Sequence, residues 1–236
     1  MKLYENITIG NFLFSLGYSL RDKQGKNMLA GSINLLQQTP ADQLLGDVLL
    51  KFKGVVRLIE FKAEGASLAK EKGRHAALCV AIQERQFEAI SRGVHWFIET
   101  KATEKTLGLR VVPYLDAFPR PSGPKVQLLE EFISVLAEDI ATQNITYTGA
   151  QINEYLAWVR RTQGTGAVGS GGLLLLAEPG GLLRFAPLAD LLDLNLEHSV
   201  WIKERVVRLD RDIDLMRQRE NERQRKLERK GLGLER

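Results

Sequence analysis

Apolar and polar positions change period several times along the chain, and each change marks a new element. Ile9, Leu13, Leu16 and Leu20 recur at helical spacing and predict a first helix over 6–20, weakened by Gly10 and Gly17. A short apolar run over 28–36 reads as a strand or as a continuation of that helix, and Pro40 and Asp42 mark a turn after it. Asp47 to Lys53 is β-rich, Gly54 supplies a turn, and Val55 to Lys62 returns, which predicts an antiparallel hairpin. Period two places Val56, Leu58, Glu60 and Lys62 on one face of the returning strand and Arg57, Ile59 and Phe61 on the other. Centring the turn on Gly54 sets Glu60 opposite Val48 and beside Asp47.

Beyond Gly65, Ser67 caps a predicted long helix to Arg92 whose apolar face is Leu68, Leu78, Ile82 and Ile90, with Gly93 ending it. Strands are predicted over 94–100 and 109–115. A strand, a long helix and a further strand make a crossover, so the strand at Trp96 is expected parallel to the one carrying Glu60. The pattern predicts an α/β fold with a mixed central sheet. The proline-rich stretch from Phe118 to Pro124 is the best boundary. It divides a core over 1–118 from an accessory region over 119–200, with helices at 126–142 and 149–161, a small hairpin at 173–177 and 182–185, and a short helix at 189–194. A charged helical tail over 201–236 follows. Val206, Leu209, Ile213 and Met216 form a heptad-like seam there, suited to docking or to a homodimer.

Composition narrows the class. At 236 residues and 44 % hydrophobic the chain can bury a sizeable core. It has no apolar run of the roughly 20 residues that cross a bilayer, so no membrane partner is expected. The opening residues carry no secretory pattern and Cys79 is the sole cysteine, which together predict a cytoplasmic protein without disulfides. Trp201 to Arg236 hold 12 Lys/Arg against 8 Asp/Glu, so the tail carries the whole net charge of +4. That charge suits attraction to nucleic acid or a solvated helix face. His75, His95 and His198 lack zinc-ligand spacing. The glycine run over 164–172 lacks the Gly-Lys-Ser/Thr ending of a phosphate loop and reads as a linker.

The hairpin carries the chemistry. Phosphodiester hydrolysis needs an attacking water, a divalent metal to acidify it, and positive charge at the phosphorus and the leaving oxygen. Magnesium prefers hard oxygen ligands, commonly one or two carboxylates with water. Asp47 and Glu60 supply two carboxylates on adjacent strands, and Lys62, one pleat further, supplies an ammonium. The bland alternative is an ion pair on an exposed sheet face.

A first helix, Gly46-Asp47, a hairpin, Leu58-Ile-Glu60-Phe-Lys62, a long helix and the strand His95-Trp-Phe-Ile-Glu together resemble the PD-(D/E)XK nuclease superfamily, over roughly residues 5–118. The resemblance implies a restriction-endonuclease-like αβββαβ core and Mg²⁺-dependent cleavage, with Mn²⁺ as substitute, usually of DNA. It implies Asp47, Glu60 and the Phe61 carbonyl as metal ligands and Lys62 as the catalytic lysine. Gly46 stands where the nominal motif has proline. Some members add an acid from the first helix and a Gln-x-x-x-Tyr motif in the second. Glu5 answers to the first as a metal ligand, or is simply an acid favoured at a helix N-terminus. Gln83, four residues before Phe87, answers to the second as a catalytic residue. Glu64 could assist a second metal or lie in a loop. Lys70, Lys72 and Arg74 form a nucleic-acid-binding cluster at the start of the helix after the site, or a solvated face. The expected function is a deoxyribonuclease, with defence or mobile-element processing as its setting and DNA, a partner protein or a second copy as its partners. The rivals are an RNA-cleaving enzyme and a non-catalytic scaffold subunit.

Overall fold

The computed structural model describes residues 4–24, 29–36, 46–63, 65–83, 87–102, 107–119, 129–163, 172–177, 183–188, 211 and 214–226. The expectations for Pro40, Asp42, Glu64, His198, Val206, Leu209, Ile213, the glycine run at 164–171, most of the proline-rich stretch and the helix at 189–194 lie outside these residues. Met1–Glu197 and His198–Arg236 are separate compact units. In the second, 214–226 is a helix whose side chains are exposed, Met216 among them. No helix among the described residues is long and apolar enough to cross a membrane.

The first unit is α/β. Helix α1 (Glu5–Gln24) precedes β1 (Leu29–Leu35), β2 (Val48–Phe52) and β3 (Val55–Ala63); α2 (Ala69–Gln83) and α3 (Glu88–Val94) lead to β4 (His95–Ala102) and β5 (Leu107–Pro113). After a 3-10 turn at Tyr114–Asp116 come α4 (Leu129–Thr142), α5 (Gly149–Gln163), β6 (Gly172–Ala177) and β7 (Leu183–Leu188). The seven strands form one sheet in the order β5-β4-β3-β2-β1-β6-β7. Among the described residues β3 and β4 are the only neighbouring strands that run parallel, as the crossover pattern requires. Within the ambiguous run at 28–36, Leu29–Leu35 is a strand, and the second hairpin pairs β6 with β1, so it extends the same sheet.

Strand alternation divides the sheet between two helical layers. Val48, Leu50, Phe52, Val55, Ile59, Phe61, Ile98 and Val111 pack with Ile9, Phe12, Leu16 and Leu20 of α1 and with Phe132, Ile133, Leu136 and Ile140 of α4. Phe12, not Leu13, is the deep member of the α1 face, in ring contact with Phe61 and Phe132. Gly10 and Gly17 lie on the outer side of that helix, where they crowd nothing. The opposite sheet face meets α2, α3 and α5, with Leu78, Ile82, Ile90, Tyr155 and Leu156 buried. Arg57 faces the α4 layer and pairs with Asp139 at 2.8 Å. Its neighbour Glu60 belongs to the other layer.

Two expectations change. The helix expected from Ser67 to Arg92 is two helices, because one helix could not present its apolar residues to one surface. At 100° per residue, Leu78 and Ile90 would lie about 120° apart around a continuous helix, whereas separate α2 and α3 bury both. The hairpin register is also shifted by one residue: the turn is Lys53-Gly54, and Val48 pairs with Ile59 rather than Glu60. Extending that ladder by one step sets Asp47 directly across from Glu60.

Candidate active site

The site forms where β2 begins and β3 ends, on the sheet face that meets α2. Gly46 enters β2 with φ +150°, a backbone L side chains rarely adopt, and a Cβ there would stand 3.3 Å from Glu60 Oε2. Asp47 Oδ2 accepts the Phe61 N–H at 2.7 Å, and the Asp47 carbonyl accepts the Leu36 N–H at 2.8 Å. The acid is thereby tied to both strands that flank β2. Asp47 and Glu60 are each less than 5 % exposed.

Lys62 joins them. Its Nζ lies 2.5 Å from Glu60 Oε1, 3.7 Å from Asp47 Oδ2 and 3.9 Å from Glu5 Oε2, and it donates to the Phe61 carbonyl at 2.9 Å. Glu5, in the first turn of α1, also accepts the Ala63 N–H through Oε1 at 3.2 Å. Four residues expected to act together, Asp47, Glu60, Lys62 and Glu5, therefore converge, with the Phe61 carbonyl among them.

Electrostatics set the character of the cluster. Burial pushes the Glu60 carboxyl well above its ordinary range, and the neighbouring Asp47 and Glu71 push it further; Lys62 opposes them. Burial alone would lower the Lys62 ammonium, but Glu60 and Asp47 outweigh it and hold the lysine above its ordinary value. Lys62 thus stays charged at neutral pH, while Glu60 resists ionisation for want of compensating positive charge. A second cation would supply that charge.

The other expected residues separate. Gln83 is exposed in the last turn of α2, about 18 Å along the helix axis from Glu71 at the 1.5 Å rise of an α-helix. It does not reach the site. Lys70 and Lys72 are exposed near the start of α2, on the end beside Glu60. Arg74 turns inward to Glu71 at 3.5 Å, so it is not a free surface cation. His75 is buried, with Nε2 2.9 Å from the Leu115 carbonyl oxygen.

Three residues of the site's surroundings escaped the sequence reading. Glu71 is buried close enough to Glu60 to raise its carboxyl further, and it accepts a hydrogen bond from the Tyr114 hydroxyl. Burial and Glu71 together raise the Tyr114 phenol far above its usual range, so it remains a donor. Glu99 of β4 lies beside Lys62 in the parallel register, 3.9 Å from Arg110. In the sequence Glu71 sits between Lys70 and Lys72, like any surface acid. Only the spacing from Glu71 to His75, Leu78 and Ile82 hints that it faces inward.

Among the described residues no cluster of three or more His, Cys, Asp or Glu side chains is arranged to hold a metal ion. Lys62 lies within the acidic cluster. The donors present, two carboxylates and a backbone carbonyl, are hard oxygens of the kind and number that magnesium takes with water completing its shell. They fit such an ion chemically and electrostatically. No family model, no curated protein and no solved structure matches this chain.

Proposed function

We propose that the chain is a Mg²⁺-dependent nuclease, most readily a deoxyribonuclease, built on the αβββαβ core of the PD-(D/E)XK superfamily. The observation that carries this reading is the Lys62 ammonium within 4 Å of both Asp47 and Glu60, two buried carboxylates brought side by side by one hairpin. The helix, three strands, helices and parallel strand around the hairpin support it, because they follow the order expected of that core.

In this reading Asp47, Glu60 and the Phe61 carbonyl hold the ion. When bound, magnesium would acidify a water and offset charge on the phosphate. Asp47 is oriented through the Phe61 N–H, which holds its carboxylate beside Lys62. Lys62 keeps its proton and presents it to the attacking water or to a phosphoryl oxygen, where negative charge grows in the transition state. Tyr114 holds Glu71, whose charge is felt at Glu60, in place. Lys70 and Lys72 attract the phosphodiester backbone to the adjacent surface, a contact that positions without reading sequence.

The test is incubation of the protein with plasmid, linear DNA and RNA in Mg²⁺, Mn²⁺ or EDTA. Cleavage that requires the cation and disappears in Asp47→Asn and Lys62→Met supports the reading. Cleavage that survives either substitution removes the site, and no cleavage of any substrate favours a scaffold subunit. RNA cut in preference to DNA would reassign the substrate and leave the site intact.

A further inference from the structure

Among the described residues Lys62 makes four close polar contacts, and three are with atoms that the nuclease reading assigns to the cation: Glu60 Oε1, Asp47 Oδ2 and the Phe61 carbonyl. The fourth is Glu5 Oε2 at 3.9 Å. An ammonium and a divalent ion cannot share one set of oxygens closely, since like charges a few ångströms apart in a buried site repel by several kcal/mol.

Resting on that reading, we propose that Lys62 and a divalent cation compete for Asp47 and Glu60, and that Glu5 is the positioning residue that receives the Lys62 ammonium when the cation prevails.

Glu5 suits this role better than the role of metal ligand. Its Oε1 is engaged by the Ala63 N–H, one residue beyond the lysine, so the carboxylate is anchored to the strand end and cannot follow an ion deeper into the site. Its Oε2 is turned to Nζ. Its side chain is 29 % exposed against 4 % for Glu60, so it stands at the rim and the ligand pair stands inside. A lysine moved from Glu60 to Glu5 passes from a buried carboxylate to a more exposed one. The same shift clears the two carboxylates and places the proton donor. The consequence is a gate within the site: the lysine is released to substrate only after the acids have taken up their ion.

The experiment follows the lysine and not turnover. The protein, labelled with ¹⁵N-lysine, is titrated with Ca²⁺ and Mg²⁺ while the Lys62 ammonium resonance is observed, identified by its loss in Lys62→Met. Calorimetry on the same samples records whether the ion binds. The expected result is a cation-induced shift of the Lys62 signal with protection retained in the native protein. In Glu5→Gln, which preserves the Ala63 hydrogen bond, the ion-bound lysine should exchange with water about tenfold faster. Glu5→Asp, which keeps the charge, should restore part of the protection. A Lys62 signal that ignores a bound ion, or that responds identically in Glu5→Gln, overturns the handover while leaving the nuclease reading standing. Absence of any cation binding to the native protein overturns both. Thermal melts of each variant confirm that a folded protein is being compared.

Discussion

The carboxylate of Asp47 accepts the backbone N–H of Phe61 at 2.7 Å, across the point where the β2–β3 ladder ends. A side chain thus replaces a strand carbonyl as the last acceptor of the hairpin, and an acid is held where Glu60 emerges. Asp47 is structural and chemical at once. Asp47→Asn retains an oxygen that can accept the bond, so its melting temperature should stay near that of the native protein. Asp47→Ala leaves the buried Phe61 donor unpaired and should cost about 1–3 kcal/mol. Both should abolish cation-dependent cleavage. Thermal unfolding beside a nuclease assay separates the two roles, and a destabilised Asp47→Asn would argue against the division.

Glu60 is a buried acid whose neighbours Asp47 and Glu71 disfavour its charge. Its folded pKa lies above the ordinary value of 4.5. Its contribution to stability is therefore fullest below that pH and is lost as pH rises toward the folded value. Glutamine has no such loss. Since Asp47 and Glu5 remain to balance Lys62, Glu60→Gln should be the more stable protein at pH 7, by roughly 1 kcal/mol or 2–4 °C. Its advantage should shrink as pH falls to 4.5. It should also be inactive. Melting curves at several pH values check the sign.

His95 responds in the opposite direction. Burial holds its imidazole neutral, with the pKa lowered to about 3 from 6.5, His75 adding a smaller push. The ring is stacked on Tyr114 at 4.0 Å, with Nδ1 3.1 Å from the Tyr155 hydroxyl. The unfolded chain takes up a proton near pH 6.5 and the folded one does not, so stability drains as pH falls from 6.5 toward 3. The loss at pH 5 should be about 2 kcal/mol. His95→Phe keeps an aromatic ring for the stack and should remove that part of the acid sensitivity. A variant with an unchanged pH slope would show that His95 is not its source.

Gly46 stands where the resembled motif has proline, yet restoring the proline should harm this protein. Its φ of +150° is far from the value near −65° that proline demands. Gly46→Ala should cost about 1–3 kcal/mol through backbone strain, with its Cβ close to Glu60 Oε2. Gly46→Pro should lose more and should fail to cleave. A proline variant as stable as the native chain would mean that Asp47 tolerates a different entry into β2.

Much of this architecture is legible in the chain because it is local. Alternation from Val55 to Lys62 places Glu60 and Lys62 on one face whatever else the chain does, and the glycine between two β-rich runs makes those runs a hairpin. The crossover from β3 to β4 follows from lengths alone. Turn geometry is subtler: whether Lys53-Gly54 or Gly54 alone is the pivot decides if Glu60 faces Asp47 or Val48, and composition does not distinguish the two. The break between α2 and α3 likewise depends on the sheet face that the two helices cover.

Charge is where sequence says least. Glu5, Glu71 and Arg74 are ordinary letters in a chain rich in acids and bases, and their spacing suits solvated faces equally well. Asp47, Glu60 and Lys62 as the candidate chemistry, and the face that Glu60 and Lys62 share, were determined by the sequence, since period and turn act over a few residues; the register that puts Asp47 on that face was not. The α1 N-terminus that brings Glu5 to Lys62, the first turn of α2 that buries Glu71 where Glu60 feels its charge, and the helix length that carries Gln83 away were decided only by the tertiary structure. Burial and electrostatic coupling depend on which distant segments meet, and that is a property of the packed layers rather than of any stretch of chain.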